Sequence, residues 1–387
     1  MWTRHSRLIL LASGCLAAPL AAGAADGRCD PAAPIEVPPA AEVDRRLFLV
    51  GDAGEPAAGG EPVLAALTRA LSLDPSHSLV VFLGDNVYPR GLPAKGADTR
   101  AESERHLLAQ VDAIRDGRAR GFFIPGNHDW VKSGRDGWEA VRRQVAFVDE
   151  NAASVAEVLP RGGCPGPVVR DEGDHLRLIM LDTQWWLHDG PKPRDPGSDC
   201  PEDSEKEVLD GLREALASAG TRRVVVLAHH PLATGGPHGG HFSWKDHLFP
   251  LRAVKKWLWI PLPVLGSLYP AARQAGISPQ DLKNETNRRM RAAFEGVLRE
   301  RPPLAWASGH DHNLQVLKGA SARHVLVSGA GIFGHTTRAV CTDESRFALS
   351  RAGFMRLDVE RSGRVRLAVL AVDAAGGAAE RFAAWLD

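Results

Sequence analysis

The stretch Leu79-Val80-Val81-Phe82-Leu83-Gly84-Asp85-Asn86-Val87-Tyr88 sets the reading of this chain. Its apolar run predicts a short strand buried on both faces, and the glycine ends it. Directly beyond stand a carboxylate, an amide and a phenol. The pattern recurs four more times. Residues 47–50 (LFLV) lead into Gly51-Asp52-Ala53-Gly54, and 121–125 (GFFIP) into Gly126-Asn127-His128-Asp129. Residues 224–227 (VVVL) lead into Ala228-His229-His230-Pro231, and 304–308 (LAWAS) into Gly309-His310-Asp311-His312-Asn313. One block alone is ordinary turn chemistry, because Asp and Asn after Gly readily satisfy backbone groups at a strand end. Five in order, each offering a carboxylate, amide, imidazole or phenolate ligand atom, predict a metal site.

Outward from these blocks the chain alternates. Apolar runs at 46–50, 78–83, 121–124, 176–181, 223–228 and 304–307 predict strands. Segments of helical period at 61–73, 101–115, 136–150, 203–219 and 285–300 lie between them, the fourth with Asp203 or Ser204 as N-cap and Gly220 as stop. The tail turns strand-rich, at 324–328, 354–360 and 365–372. This order predicts an α/β fold with helices packed around a two-sheet core. With 387 residues, 44% of them hydrophobic, the chain has ample core for one large domain or two modest ones. Its 47 basic and 47 acidic residues cancel, which gives no electrostatic reason to expect nucleic acid as a partner.

The N-terminus reads as a targeting segment. Arg4 and Arg7 precede an apolar, small-residue run, and Ala22-Gly23-Ala24 has the form of a signal-peptidase site, so 1–24 is expected to be removed on export to the periplasm or medium. A second reading takes Ala12-Ser13-Gly14-Cys15 as a lipoprotein signal, with Cys15 lipidated at a membrane surface. An Ala/Pro-rich linker spans 25–44, and the domain 45–387 follows. Cys29, Cys164, Cys200 and Cys341 then form an even set in an oxidising compartment, expected to make up to two disulfides. Cys164 and Cys200 bracket one Pro/Gly-rich region and are the favoured pair; no C-x-x-C spacing suggests a structural zinc site. Residues 232–283 break the alternation as a Gly-, Pro- and Trp-rich insertion. It reads as a packed apolar loop, as a lid, or as a membrane-surface contact through 255–265 with Lys255 and Lys256 at the headgroups.

Asp52, Asp85, Tyr88, Asn127, His229, His310 and His312 make seven candidate ligands. Seven exceed the need of one ion and suit two ions sharing a carboxylate, about 3.5–4 Å apart, as in enzymes of phosphoryl transfer. The blocks resemble those of the calcineurin-like metallophosphoesterases, and within them the purple acid phosphatases. The usual first block is Asp-x-His, whereas here it is Asp52-Ala53-Gly54, and a Tyr stands three residues after Asp85. Both departures are the purple acid phosphatase variation. Gly309–Gln315 followed by Val327-Ser328-Gly329-Ala330-Gly331 is similar to the small, tartrate-resistant type. The resemblance covers roughly 46–335 apart from the insertion.

It implies a four-layer α/β/β/α sandwich of two mixed sheets flanked by helices. It further implies Fe(III) held by Asp52, Tyr88, His312 and a bridging Asp85, and Fe(II), Zn or Mn held by Asn127, His229, His310 and the same Asp85. A metal-bound hydroxide would attack the phosphorus of a small phosphate ester, with His128 facing the substrate, Asp129 orienting His128, and His238 as a further substrate-facing imidazole. His230 would support the ligands rather than join them, and Asp182 would brace the metal loops; Trp185, Trp186 and His188 either shape the pocket or pack. The reading is an exported phosphomonoesterase. The alternatives are a phosphodiesterase of the same fold, acting on nucleotides or lipid headgroups, and a non-catalytic metal-binding module.

Overall fold

Along the first block's strand, Leu47 and Leu49 bury on one side while Phe48 and Val50 bury on the other. The period-2 pleat therefore feeds two cores from one apolar run. The computed structural model describes residues 27–29, 39, 41–194, 198–253 and 258–387. The targeting segment, Cys15 and most of the linker lie outside the described residues, as do Lys255 and Lys256. In chain order the strands and α-helices are β1 (Val43–Val50), α1 (Pro62–Ser72), β2 (Ser78–Phe82), α2 (Arg100–Asp116), β3 (Arg120–Phe123), α3 (Gly137–Ala152), β4 (Ala156–Val158), β5 (Val168–Glu172), β6 (Leu176–Met180), α4 (Thr183–Leu187) and α5 (Glu205–Ala217). There follow β7 (Arg223–Leu227), α6 (Trp244–Leu248), α7 (Leu268–Gln274), α8 (Glu285–Glu300), β8 (Ala305–Ser308), β9 (Leu314–Lys318), β10 (His324–Ser328), β11 (Ser345–Leu349), β12 (Gly353–Glu360), β13 (Val365–Val372) and β14 (Ala378–Trp385).

The strands form two seven-stranded mixed sheets, ordered β14-β13-β12-β1-β2-β3-β4 and β11-β9-β10-β8-β7-β6-β5. In the first, β1 to β4 are parallel and β12 to β14 extend the sheet antiparallel from β1. In the second, β6, β7, β8 and β10 are parallel. Side chains such as Leu49, Val81, Leu227, Ala307 and Leu357 fill the space between the sheets. Helices α1, α2 and α3 cover the outer face of the first sheet, and α4, α5 and α8 that of the second. The result is the expected four-layer sandwich.

Local sequence explains the boundaries. Ser204 caps α5 in a reciprocal capping box with Glu207. Helix α4 is capped by Asp182, which accepts the Trp185 N–H and, at 2.8 Å, the Trp130 indole N–H, bracing the third block against the second sheet as expected. Disulfides join Cys164 to Cys200, the favoured pair, and Cys29 to Cys341. Gly27–Cys29 are not free linker, because Cys29 N–H donates to the Arg346 carbonyl and Ala348 N–H to that of Gly27, laying this segment along β11. None of the helices among the described residues is long and apolar enough to cross a membrane.

Candidate dinuclear metal centre

All five blocks meet where β1, β2 and β3 of one sheet and β7 and β8 of the other end. Three ligand-bearing residues there hold left-handed backbone that side chains other than Gly rarely adopt: Asp52 (φ 58°), Asp85 (φ 57°) and His310 (φ 72°). Such strain persists where surrounding structure imposes it, and it concentrates at functional sites. The imposing structure is backbone against backbone. A Cβ on Gly54 would lie 2.3 Å from the Asn86 carbonyl carbon, and one on Gly126 would lie 2.3 Å from the Asp85 nitrogen. The first block therefore has no room for a side chain at position 54, and the phenol of Tyr88 reaches the first carboxylate instead.

The donor atoms form two groups. In one, the Tyr88 hydroxyl lies 3.0 Å from Asp52 Oδ1, 3.1 Å from Asp85 Oδ2 and 3.0 Å from His312 Nε2. In the other, Asn127 Oδ1 lies 3.0 Å from His229 Nε2 and 2.9 Å from His310 Nδ1, and the two imidazole nitrogens are 3.1 Å apart. Asp85 spans both, with Oδ2 in the first group and Oδ1 3.5 Å from His229 Nε2. The seven candidate ligands named from sequence are thus brought together in two groups that share Asp85.

These atoms fit cations. His229 Nδ1 faces the Leu83 carbonyl at 2.9 Å, and His310 Nε2 faces that of Gln280 at 3.0 Å, so each ring carries its proton on the side away from Asn127. That leaves two imidazole lone pairs and an amide oxygen converging in a buried space with no hydrogen among them, an arrangement that a cation satisfies. In the other group, burial and the Asp52 and Asp85 carboxylates drive the Tyr88 phenol well above its ordinary value. Burial and Asp52 do the same to Asp85. Burial also pushes Asp52 up, but the charge and hydrogen bond of His312 outweigh it and hold the carboxyl low. A phenol and two carboxylates crowded out of water suit a highly charged ion, while imidazoles and an amide suit a divalent one.

Around the ligands the substrate-facing predictions divide. His128 Nδ1 is held by the Pro89 carbonyl at 2.8 Å, and the residue lines the cleft. Asp129 does not orient it. That carboxylate is fully buried and accepts the N–H groups of Asn86, Val87 and Gly126 and the Asn86 amide, so it shapes the second and third blocks and has no bond left for an imidazole. His238 does reach the site. Its ring lies 3.7 Å, centroid to centroid, from that of His310, and its Nδ1 is 3.0 Å from Asp281 Oδ1. His230 is engaged elsewhere, with Thr183 Oγ1 at 2.8 Å and Gln280 Oε1 at 2.7 Å. Trp185 and Trp186 pack in the core beneath the second sheet's helices, and His188 lies against Trp130.

Sequence reasoning missed Gln280, Asp281 and Arg273. They close over the imidazole side of the site, Arg273 clasping Asp281 with two guanidinium nitrogens. No spacing signal marks them, since they stand at the far end of the insertion and meet the site only through the fold. Gln280 and Arg273, with Phe242, Phe249 and Tyr269, make one wall of an open cleft of about 840 Å³, whose floor is Asp85, Asn127, His310 and His312.

The family model described as calcineurin-like phosphoesterase matches residues 45–259. None of the curated proteins matches the chain by sequence. Among solved structures, the anchor protein GAP50 of the Plasmodium inner membrane complex is similar at 14% identity and a TM-score of 0.55, over 89% of each chain. The purple acid phosphatase PPD1 from yellow lupin (Lupinus luteus) seeds is similar at 15% identity and a TM-score of 0.51, over 90% of this chain and 55% of its own. At such identities these two likenesses speak for the fold.

Proposed function

This chain belongs to the calcineurin-like phosphoesterase family, and we propose that within it the chain is an exported phosphatase of the purple acid type, hydrolysing phosphate monoesters at a centre of Fe(III) with Fe(II), Zn or Mn. The observation that carries the reading is the Tyr88 oxygen within 3.1 Å of Asp52, Asp85 and His312, above a Gly54 that admits no side chain. Two disulfides support the exported part.

When bound, the two ions supply an acidified water and neutralise charge on the phosphate. The chain does the rest. Asp85 sets the spacing of the two ligand groups through its two oxygens. His128, fixed through Nδ1 by the Pro89 carbonyl, presents its other nitrogen to the leaving oxygen. His238, steadied by Asp281, and Lys132 flank the floor where the non-bridging oxygens of a dianion would sit. Gln280 and Arg273 limit the water on the imidazole side.

Metal analysis and a visible spectrum of the purified protein test this, together with turnover of p-nitrophenyl phosphate and of its bis ester. Iron near one equivalent or more, a tyrosinate charge-transfer band lost in Tyr88→Phe, and preference for the monoester are expected. A spectrum unchanged by Tyr88→Phe removes the ferric tyrosinate, and preference for the diester removes the monoesterase.

A further inference from the structure

The insertion has an outer side as well as a cleft side. Nine large hydrophobic side chains are exposed among the described residues, and seven of them stand between 244 and 277. Scattered singly, such residues mean little, but confined to one small body they mark a surface that is covered in use. The body is well defined. Helix α6, the 3-10 turn Leu265–Ser267 and α7 pack on one another. Leu262 N–H donates to the Leu248 carbonyl at 2.8 Å, and Gly266 lies so close to the His247 carbonyl that a Cβ there would be 2.1 Å from it.

At its tip, Leu265 N–H bonds back to the Pro263 carbonyl, and the residue between them, Val264, takes φ 66° and ψ −59°. A β-branched residue in that γ-turn is strained. Here the strain holds Val264 at 85% exposure, beside Leu265 at 64% and Leu268 at 66%. Trp244 and Trp259 stand on the same body and are also exposed, and the Trp259 ring lies 5.2 Å from that of Phe249, which lines the cleft. The apolar face and the mouth of the site are therefore continuous.

Charge selects the occupant. The chain as a whole is neutral, but residues 232–283 hold six basic and two acidic side chains. Among the described residues, Lys245 Nζ lies 5.9 Å from the centre of the exposed Trp244 ring, and a second copy meeting this face by two-fold symmetry would bring two insertions of net positive sequence together. An anionic lipid surface complements it, and Trp with short aliphatics amid Lys and Arg is the composition of interfacial contacts. We propose that this face seats the protein on an anionic phospholipid bilayer, so that the cleft takes phosphate monoesters carried by lipids. The lipid-substrate half rests on the phosphatase reading above.

The test compares the metal-loaded wild type with the triple variant Val264→Ser/Leu265→Ser/Leu268→Ser, none of which lines the cleft. Each is sedimented with vesicles of phosphatidylglycerol and phosphatidylcholine, and assayed on soluble p-nitrophenyl phosphate and on phosphatidic acid in the same vesicles. The wild type is expected to sediment, less so as salt is raised, and the variant to bind about tenfold more weakly or worse. Turnover of the soluble ester should be equal in the two proteins, while that of phosphatidic acid should fall with binding. A wild type left in the supernatant, equal sedimentation of both proteins, or equal rates on phosphatidic acid overturns the proposal. A dimer that the substitutions dissolve, without vesicle binding, also overturns it and assigns the face to a second copy. Sedimentation of the wild type with no turnover of either ester overturns the phosphatase reading, and with it the lipid substrate, while the docking face stands.

Discussion

At the scale of single residues, the site depends on atoms that serve two neighbours at once. Asp85 contributes one oxygen to each ligand group and also accepts the His128 N–H at 2.7 Å. Asp85→Ala is therefore expected to lose metal from both positions together, and activity with it, by metal analysis on protein whose circular dichroism is unchanged. Loss of one metal only would mean the two groups are held independently. Gly54 is the complementary case, a residue that matters by what it lacks. In Gly54→Ala the new methyl meets the Asn86 carbonyl carbon at 2.3 Å and must push the second block away. Overpacking of this kind costs about 1–3 kcal/mol. The denaturant midpoint and the metal content should both fall, whereas Gly59→Ala, with nothing within 4 Å, should change neither.

At the scale of elements, α4 shows how a buried charge links the site's support to pH. Asp182 accepts two N–H donors, yet burial dominates and pushes its carboxyl up to about 7. The folded chain therefore binds this proton more tightly than the unfolded one. The stability so contributed is full below the ordinary carboxylate value of 3.8 and is lost as pH rises through about 7. The stability difference between wild type and Asp182→Asn, from urea titrations, is expected to shrink by about 3 kcal/mol between about pH 5 and 8. A constant difference would show that the carboxyl is ionised throughout. The elements themselves were unevenly legible. The buried central strands β1, β2, β3, β6, β7 and β8 read directly from their apolar runs, because being covered on both faces leaves a continuous signal. Strand β14 did not, since its AAERFAAW is made largely of good helix formers and becomes a strand only by pairing with β13. The candidate ligands were legible because each stands just beyond the end of one of five buried strands. Gln280, Asp281 and Arg273 were not, because nothing local ties a residue of the insertion to His310 or His238. Asp129 was misread for a related reason: adjacency in sequence to His128 hid that its carboxylate turns inward to the backbone of the preceding blocks.

At the scale of the whole molecule, the two sheets share one site but have separate edges, and β11 is an outer strand of the second. An uncovered edge strand invites pairing with other chains. Here Gly27–Cys29 cover it, and the covering segment is fastened by a disulfide across a sequence separation of 312 residues. The second disulfide spans only 36. If a disulfide acts mainly by restricting the unfolded chain, the benefit grows with the logarithm of the loop, and the long tie should exceed the short one by about 2 kcal/mol. Removing Cys29–Cys341 by double substitution to Ser is therefore expected to lower the unfolding midpoint more than removing Cys164–Cys200. It should also raise the tendency to self-associate, read by light scattering, because the edge of β11 is released with the tie. Equal losses from the two double variants would place the stabilisation in the folded contacts around each bridge rather than in the unfolded chain. In that case the self-association of the Cys29–Cys341 variant alone would still report whether Gly27–Cys29 guard the edge.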